Sequence, residues 1–515
     1  MQHITGVPRG QIGFSSLEEK IEVDNAVRFV DTFIDSLDLG ELGFKSKSLK
    51  KEGRPSFEAP VFMKLYLYGY LNGLRSCRRL EKECKRNIEV QWLLCGRTPN
   101  YHSISDFRKD NPDALRKLFR LFVAFLKDME LVSGNLVAID GTKVRASNSK
   151  KANYSFRKLE RHIAYIDNKV EEYMNELEAS DLDEDLAETV SGMVYKIERI
   201  KERKGYYQEL EKKLECSGDT QISTTDPDAR ALLVQGQVVE VSHNMQAAVD
   251  AKHNLVVATH TINQNDRNAL TAIALEAKEN LSVPGFVALV DKGYHNGRQI
   301  QQCTDAEIET IVASPTLVNS NDKGTTPEYM VGKFEYHKET DSYTCPQGET
   351  LNTTGTWHEK RTEGKLQYRF KAYRTPKCKT CPVQHLCTGK ADGRRDIHRS
   401  EFAEAVELNN KRYEENQALY KRRQMINEHI FGTIKRQWGY NHTNLRGLVK
   451  VNGEHSLIML VYNIKRTINI LGMPDLMEKL KNWKSPYKRK GFFSFYFEHF
   501  KPHGYHLFFQ VANAA

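Results

Sequence analysis

The chain has 515 residues, about three times the length of one ordinary domain, so a core domain with added and inserted parts is expected. Hydrophobic residues make up 39% and charged ones 28%, with 76 Lys and Arg against 67 Asp and Glu, for a formal net charge of +9. That surplus moves an acidic polymer up among the partners to consider, while no run reaches the roughly twenty apolar residues that would cross a bilayer.

Residues 1–16 show neither the basic start nor the apolar stretch of a secretory signal, so a cytosolic protein with no membrane partner is expected. The nine cysteines are scattered through a long chain, which argues for reduced thiols rather than a disulfide framework. From residue 17 to about 130 apolar positions recur every three to four residues, as in APVFMKLYLYGYLNGL and DALRKLFRLFVAFLKDM. This periodicity predicts an all-helical N-terminal domain over residues 1–130. Arg75, Arg78, Arg79, Lys82, Lys85 and Arg86 crowd its central segment. They form either a basic face that grips DNA or a solvated helix face, and the pattern leaves both open. Ser103 reads as a hydroxyl cap opening the next helix.

At 136 the pattern turns to LVAIDGTKVRA, a short buried strand with Asp140 near its C-terminal end. Lys143 and Arg145 follow it, on phosphate or in a solvated loop. Residues 155–215 read as a charged helical hairpin, an arm or interface, with the acidic stretch SDLDEDL between its helices. Residues 236–264 return to strand character, with a hairpin turn at AKHN. A helix follows at NALTAIALEAKENL, then a second buried strand in GFVALVDKGYHNG that ends in Asp291, and a third at EIETIVAS. This order predicts a mixed α/β sheet. Tyr294 and His295 lie in the Gly-bounded turn after Asp291, where the histidine either works near a metal or DNA or is simply exposed. Residues 320–400 look irregular, polar and cysteine-bearing. The chain is helical again from 401 to about 472, and residues 476–515 form a basic, aromatic tail.

Two aspartates at the ends of apolar strands need a partner, because Asp is disfavoured in strands and costly to bury alone. A hard divalent cation is one such partner: Mg2+ or Mn2+ binds through a few carboxylate oxygens contributed from distant parts of a chain. Capped turns are the structural alternative. A third acid, Glu428, sits in the helical segment YKRRQMINEHIFGTIKRQWG between basic residues. Lys435 falls seven positions on, about two turns and so nearly the same face, while Tyr420 and Arg423 precede it. On its own this would be a salt-bridged helix face.

Taken together, LVAIDGTKVRA, ALVDKGYHNG and the Tyr420, Arg423, Glu428, Lys435 series resemble the DDE transposases of bacterial insertion sequences. The N-terminal GRPSFEAPVFMKLYLYGYLNGLRSCRRLE is similar to the helical domain of the 1182 family of insertion sequences. The likeness covers about residues 50–475. Arg423 stands one residue further from Glu428 than the family's usual spacing. The resemblance implies an RNase H-like catalytic domain over 131–475, carrying the insertions 155–215 and 320–400. Asp140, Asp291 and Glu428 would be the catalytic carboxylates and the ligands of two Mg2+ or Mn2+ ions, about 3.5–4 Å apart in such sites. Lys435, Arg423 and Tyr420 would lie along DNA, with Lys143, Arg78 and Arg79 as further contacts. The partners implied are double-stranded DNA, at the element's terminal repeats and at the target, and further copies of the chain when on DNA. The location implied is the bacterial cytoplasm, at the nucleoid when DNA is bound. The activity implied is cleavage at element ends and direct transesterification of the 3′-hydroxyls into target DNA.

Cys378-Lys-Thr-Cys381 followed by Cys387, with Cys345-Pro-Gln-Gly upstream, supplies four thiols to a segment with little apolar material. These are either ligands of a structural Zn2+ or free thiols with no joint role, and His385 is a weaker substitute ligand. Two other classes of function stand beside the enzyme: a non-catalytic DNA-binding regulator derived from a transposase, and a coiled-coil scaffold built on the arm. The presence of all three acids favours the enzyme.

Overall fold

The computed structural model describes residues 3, 6–45, 56–180, 187–234, 238–315, 325–362, 365–390, 392–485 and 487. The acidic residues 181–186 of the arm, residues 320–324 and the tail from 488 on lie outside the described residues. Among those described, the elements before residue 136 are helical: α1 (Ala26–Asp35), α2 (Ala59–Leu71), α3 (Cys77–Arg86), α4 (Ile88–Leu93), α5 (Tyr101–Asp110) and α6 (Pro112–Asp128), after a short 3-10 turn. The start of α5 differs from expectation. Asn100, not Ser103, caps it, its side chain accepting the Ser103 N–H at 2.8 Å.

The central sheet comprises β1 (Leu136–Arg145), β4 (Arg230–Val234), β5 (Val238–Asp250), β6 (Leu255–Ile262), β7 (Phe286–Val290) and β8 (Ile308–Val312). It is ordered β4-β5-β1-β7-β8, with β6 also on β5. β5 pairs antiparallel with β1, β4 and β6, whereas β7 runs parallel to both β1 and β8. The parallel crossover from β7 to β8 is carried by α10 (Gly297–Asp305), and α9 (Leu270–Leu281) links β6 to β7. The chain is therefore mixed α/β, as its patterning predicts.

The N-terminal helices share their core with this sheet. Phe29, Phe33, Phe122 and Phe125 belong to one buried cluster with Ile139, Leu289, Val257 and Leu460. The long helix Leu448–Asn482, kinked at Gly472 (φ +75°) just before Pro474, packs against α2, α6 and β6 and so joins the two halves. Gly453 permits the approach to α6: a Cβ there would lie 2.7 Å from Pro112 Cα. Past the kink, in the segment read from sequence as the start of a tail, Leu476, Leu480 and Trp483 remain buried, and Trp483 Nε1 donates to Asp128 at 2.8 Å.

Two units stand off this core. β2 (Asn153–Ser155) and β3 (Gln221–Ser223) form a small ladder at the root of the arm, whose helices α7 (Phe156–Ser180) and α8 (Ala187–Ser217) pack around Leu159, Ile166, Tyr207, Leu210 and Leu214. The cysteine-bearing segment is not irregular. It folds as an antiparallel sheet of β9 (Glu335–His337), β10 (Ser342–Thr344), β11 (Thr350–Thr353), β12 (His358–Thr362), β13 (Lys365–Arg374) and β14 (Ile397–Ser400). Its short strands alternate polar and aromatic residues, as in YRFKAY, so no continuous apolar run announces them.

Candidate active site

The register of the central sheet brings the two strand-end aspartates together. Parallel pairing of β1 with β7 ends at Ile139 opposite Val290, so Asp140 and Asp291 leave that ladder side by side. β1 itself does not end there. It runs on to Arg145, held by β5, with Asp140 opposite Ala247. Asp291 instead turns out of its strand and caps a 3-10 turn, accepting the Gly293 N–H at 3.2 Å.

The helix Gln417–Gly432 packs across the ends of β1 and β7 and sends Arg423 between the two acids. Its guanidinium lies 3.6 Å from Asp140 Oδ2 and 3.1 Å from Asp291 Oδ1. The same guanidinium lies over the Tyr420 ring, 5.6 Å from the ring centre. Burial pushes the Asp140 carboxyl up to about 6, with Asp291 and Asp266 adding to the rise and the Gly141 N–H and Arg423 opposing it. A half-buried acid of this kind, crowded by other acids, calls for positive charge.

A second layer of polar groups stands behind the pair, and of its members Asp266, Asn244 and Gln246 were not singled out by sequence. Asp266 accepts Lys143 Nζ at 2.8 Å, Asn244 Nδ2 at 2.7 Å and Gln246 Nε2 at 3.0 Å. Burial would raise Asp266, yet Lys143 and the two amides together hold its carboxyl below the usual range. Tyr294 is buried with its hydroxyl on Gln246 Oε1. Gly141 has no room for a side chain: a Cβ would sit 2.6 Å from Asp266 Oδ1 and closer still to Gln246 Nε2. The available signal was Asn244 and Gln246, two amides at alternate positions of a strand, either side of Met245; strand periodicity puts them on one face.

The remaining residues fall in different places. Glu428 is exposed on the same helix as Arg423, and its carboxylate accepts Gln424 Nε2 at 2.7 Å. Lys435 lies beyond it in a π-helical turn, Thr433–Gln437, and donates to Thr142 Oγ1 at 3.1 Å and Lys143 O at 3.0 Å. It is thus tied to β1, and burial lowers its pKa. Lys143 is engaged by Asp266 rather than by open solvent. Arg145 is exposed and pairs with Glu240 at 2.9 Å. His295 is half-buried rather than exposed, with Nε2 unpartnered. Among the described residues no three His, Cys, Asp or Glu side chains are gathered so as to hold an ion as they stand.

On α3, Arg78 and Arg79 are exposed, and Arg78 lies 5.0 Å over the Tyr101 ring. Arg75 does not share that face. It is buried against Tyr440, donates to His442 O at 2.8 Å and lies 3.7 Å from the fully buried Glu454. Lys85 and Arg86 pair with Glu81 and Glu83 on their own helix.

Cys345, Cys378, Cys381 and Cys387 all line one pocket of the cysteine unit, and none forms a disulfide. His385 is exposed and does not line it.

Two family models match the chain. One, described as a transposase DDE domain, covers residues 344–468 and so includes the cysteines, Arg423, Glu428 and Lys435. The other, described as a transposase domain, covers residues 15–110 and includes α1 to α5. Together they indicate a DDE transposase of the insertion-sequence kind, and neither singles out the 1182 family. No curated protein and no solved structure matches the chain. No helix among the described residues is long and apolar enough to cross a membrane.

Proposed function

We propose that the chain binds the ends of a DNA insertion element, cleaves phosphodiester bonds there and joins the resulting 3′-hydroxyls to target DNA. The observation that carries this reading is the meeting of Asp140 and Asp291 around the cation of a helix that also bears Glu428. The central sheet fits an RNase H-like domain: three antiparallel strands, β6-β5-β1, continue into two parallel ones, β7 and β8.

Asp140, Asp291 and Glu428 are the residues that would hold Mg2+ or Mn2+. The first two fit a cation, since they already share one and burial resists two uncompensated charges there. When bound, divalent ions activate the attacking oxygen and neutralise charge on the leaving oxygen. Arg423 has two places to go in this scheme. It bridges the aspartates and, released from them, would offer a planar fork to a DNA phosphate beside Tyr420. Lys435, fixed on the continuation of β1, presents its charge at a set distance from Asp140. Asp266 holds Lys143 and with it the strand that carries Asp140. Arg78 and Arg79, on an exposed face far from the carboxylates in sequence, grip the duplex through its phosphates.

The test uses the full-length protein with DNA carrying the element's own ends in Mg2+. Asp140→Asn, Asp291→Asn and Glu428→Gln are each expected to lower cleavage about a thousandfold or more while end binding persists. Arg78→Glu with Arg79→Glu should weaken end binding and flatten its salt dependence. Near-normal cleavage by any carboxylate variant removes that residue from the site. End binding without cleavage by the unaltered protein would favour a regulator instead.

A further inference from the structure

The cysteine unit is the part of the molecule least able to hold itself together by burial. Its cluster has five buried members, Phe334, Tyr343, Leu351, Tyr373 and Ile397, and is separate from the main core. Units this small, with so few buried side chains, need a cross-link or a metal. Polar contacts tie it to the rest of the chain, among them Arg298 to Gln367 O and Lys338 to Glu404 at 2.9 Å.

Four thiols face one pocket from three different pieces of backbone. Cys345 follows β10 in the tight turn to β11, where Gly348 takes φ +81°, a left-handed conformation that suits glycine. That turn aims the Glu349 N–H at Cys345 Sγ, at 3.3 Å. Cys378 and Cys381 lie on and just after the 3-10 turn Pro376–Thr380, with the Cys381 N–H on Cys378 O at 3.4 Å. Cys387 ends the short helix Gln384–Cys387. Cations complete the surroundings: Lys377 and Arg395 line the same pocket, and Lys377 pairs with Glu349 across it at 2.7 Å. Four thiolates around a dication leave a net double negative charge, which Arg395 and Lys377 reduce in part, Lys377 being shared with Glu349. As placed the four thiols line the one pocket without meeting at one point.

We propose that Cys345, Cys378, Cys381 and Cys387 bind one Zn2+ that holds the turn after β10 to the segment between β13 and β14. Four sulfur donors with no oxygen or water required define a closed, tetrahedral, structural site. The proposal is independent of the carboxylate chemistry, because neither set of residues touches the other.

The full chain, purified without added metal, should contain about one zinc per molecule by elemental analysis, released as the thiols are titrated with a mercurial. Replacement by Co2+ should give the intense visible bands of a tetrahedral tetrathiolate. Cys378→Ser with Cys381→Ser should lose the metal, whereas Cys95→Ser and Cys216→Ser, at exposed positions outside the pocket, should keep it. Unaltered protein with no zinc, failing to take up Co2+ and alkylating at all four cysteines, would overturn the site. So would disulfides among them by mass spectrometry, or the absorbance of an iron–sulfur cluster.

Discussion

The carboxylate pair and the cysteine pocket solve opposite problems of support. Asp140 and Asp291 follow the buried runs Val137 to Ile139 and Ala288 to Val290, so their positions are set by paired strands anchored in the main core. The chemistry there is expensive for the fold: two acids meet, and Arg423 is needed to keep them together. In the cysteine unit the backbone has little apolar support, and its functional groups themselves are what would cohere it. A site on a rigid core tolerates internal repulsion, whereas a site on a thin sheet must be stabilising in its own right.

The largest expected effect separates the two cores. Leu289, on β7, and Leu351, on β11, are both fully buried. Truncating either to Ala should destabilise its surroundings by about 2–5 kcal/mol. Hydrogen exchange should place the two losses apart. Leu289→Ala should raise exchange across the central sheet and the N-terminal helices packed with it. Leu351→Ala should raise it between residues 325 and 400 alone. Equal loss of protection in both regions after Leu351→Ala would show one cooperative unit, and the contrast would fail.

A smaller effect is expected from Arg423→Ala in metal-free buffer. Its guanidinium is largely buried while the carboxylates it joins are partly exposed. The loss should be about 1–3 kcal/mol at pH 7.5, below that of a fully buried pair. Thermal unfolding with chelator present reads it directly. Stability unchanged by the substitution would mean that solvent already screens the two acids from each other.

How much of this was legible in the sequence follows from the same contrast. LVAIDG and ALVDKG each advertise an acid ending an apolar run, and the buried strands follow from β-branched density, so the carboxylate pair could be found without coordinates. The register that sets Asp140 beside Asp291 depends on pairing across a hundred and more residues, which periodicity does not carry. Asn244, Gln246 and Asp266 are not legible as a cluster because they come from separate segments, and Lys143, read as a phosphate contact or a loop residue, is tied to them only by the fold. The strands of the cysteine unit were missed because their polar alternation looks like loop. Arg75 was grouped with Arg78 and Arg79 by adjacency, although a turn before α3 sends it into the core toward Glu454. A fragment of residues 1–130 is for that reason a poor test of DNA recognition, since α6 and its neighbours complete their core with Leu457, Leu460 and Trp483.

The smallest effect, and the most specific to the carboxylate rim, concerns pH. Asp140 titrates near 6 in the folded protein, against about 3.9 in an unfolded chain. The folded state therefore holds this proton more tightly, and the stability that the protonated form confers is fully present below about pH 4 and lost as pH rises through 6. At neutral pH the ionised carboxylate is a burden on the metal-free fold. Two pH units would correspond to about 3 kcal/mol, and partial solvent exposure of the carboxylate reduces the expectation to about 1–2 kcal/mol. Asparagine keeps the shape and cannot ionise. Asp140→Asn should thus be more stable than the unaltered protein by that amount at pH 7.5 in chelator, while the two converge near pH 4, where both carry a neutral group. Denaturant melts at several pH values measure the gap. A variant less stable than the unaltered protein at every pH would mean that the Arg423 contact outweighs burial and that Asp140 is a stabilising ion-pair partner; a gap that opens between about pH 4 and 6 and is complete above 6 marks a residue whose ionised form the fold bears for the sake of a cation.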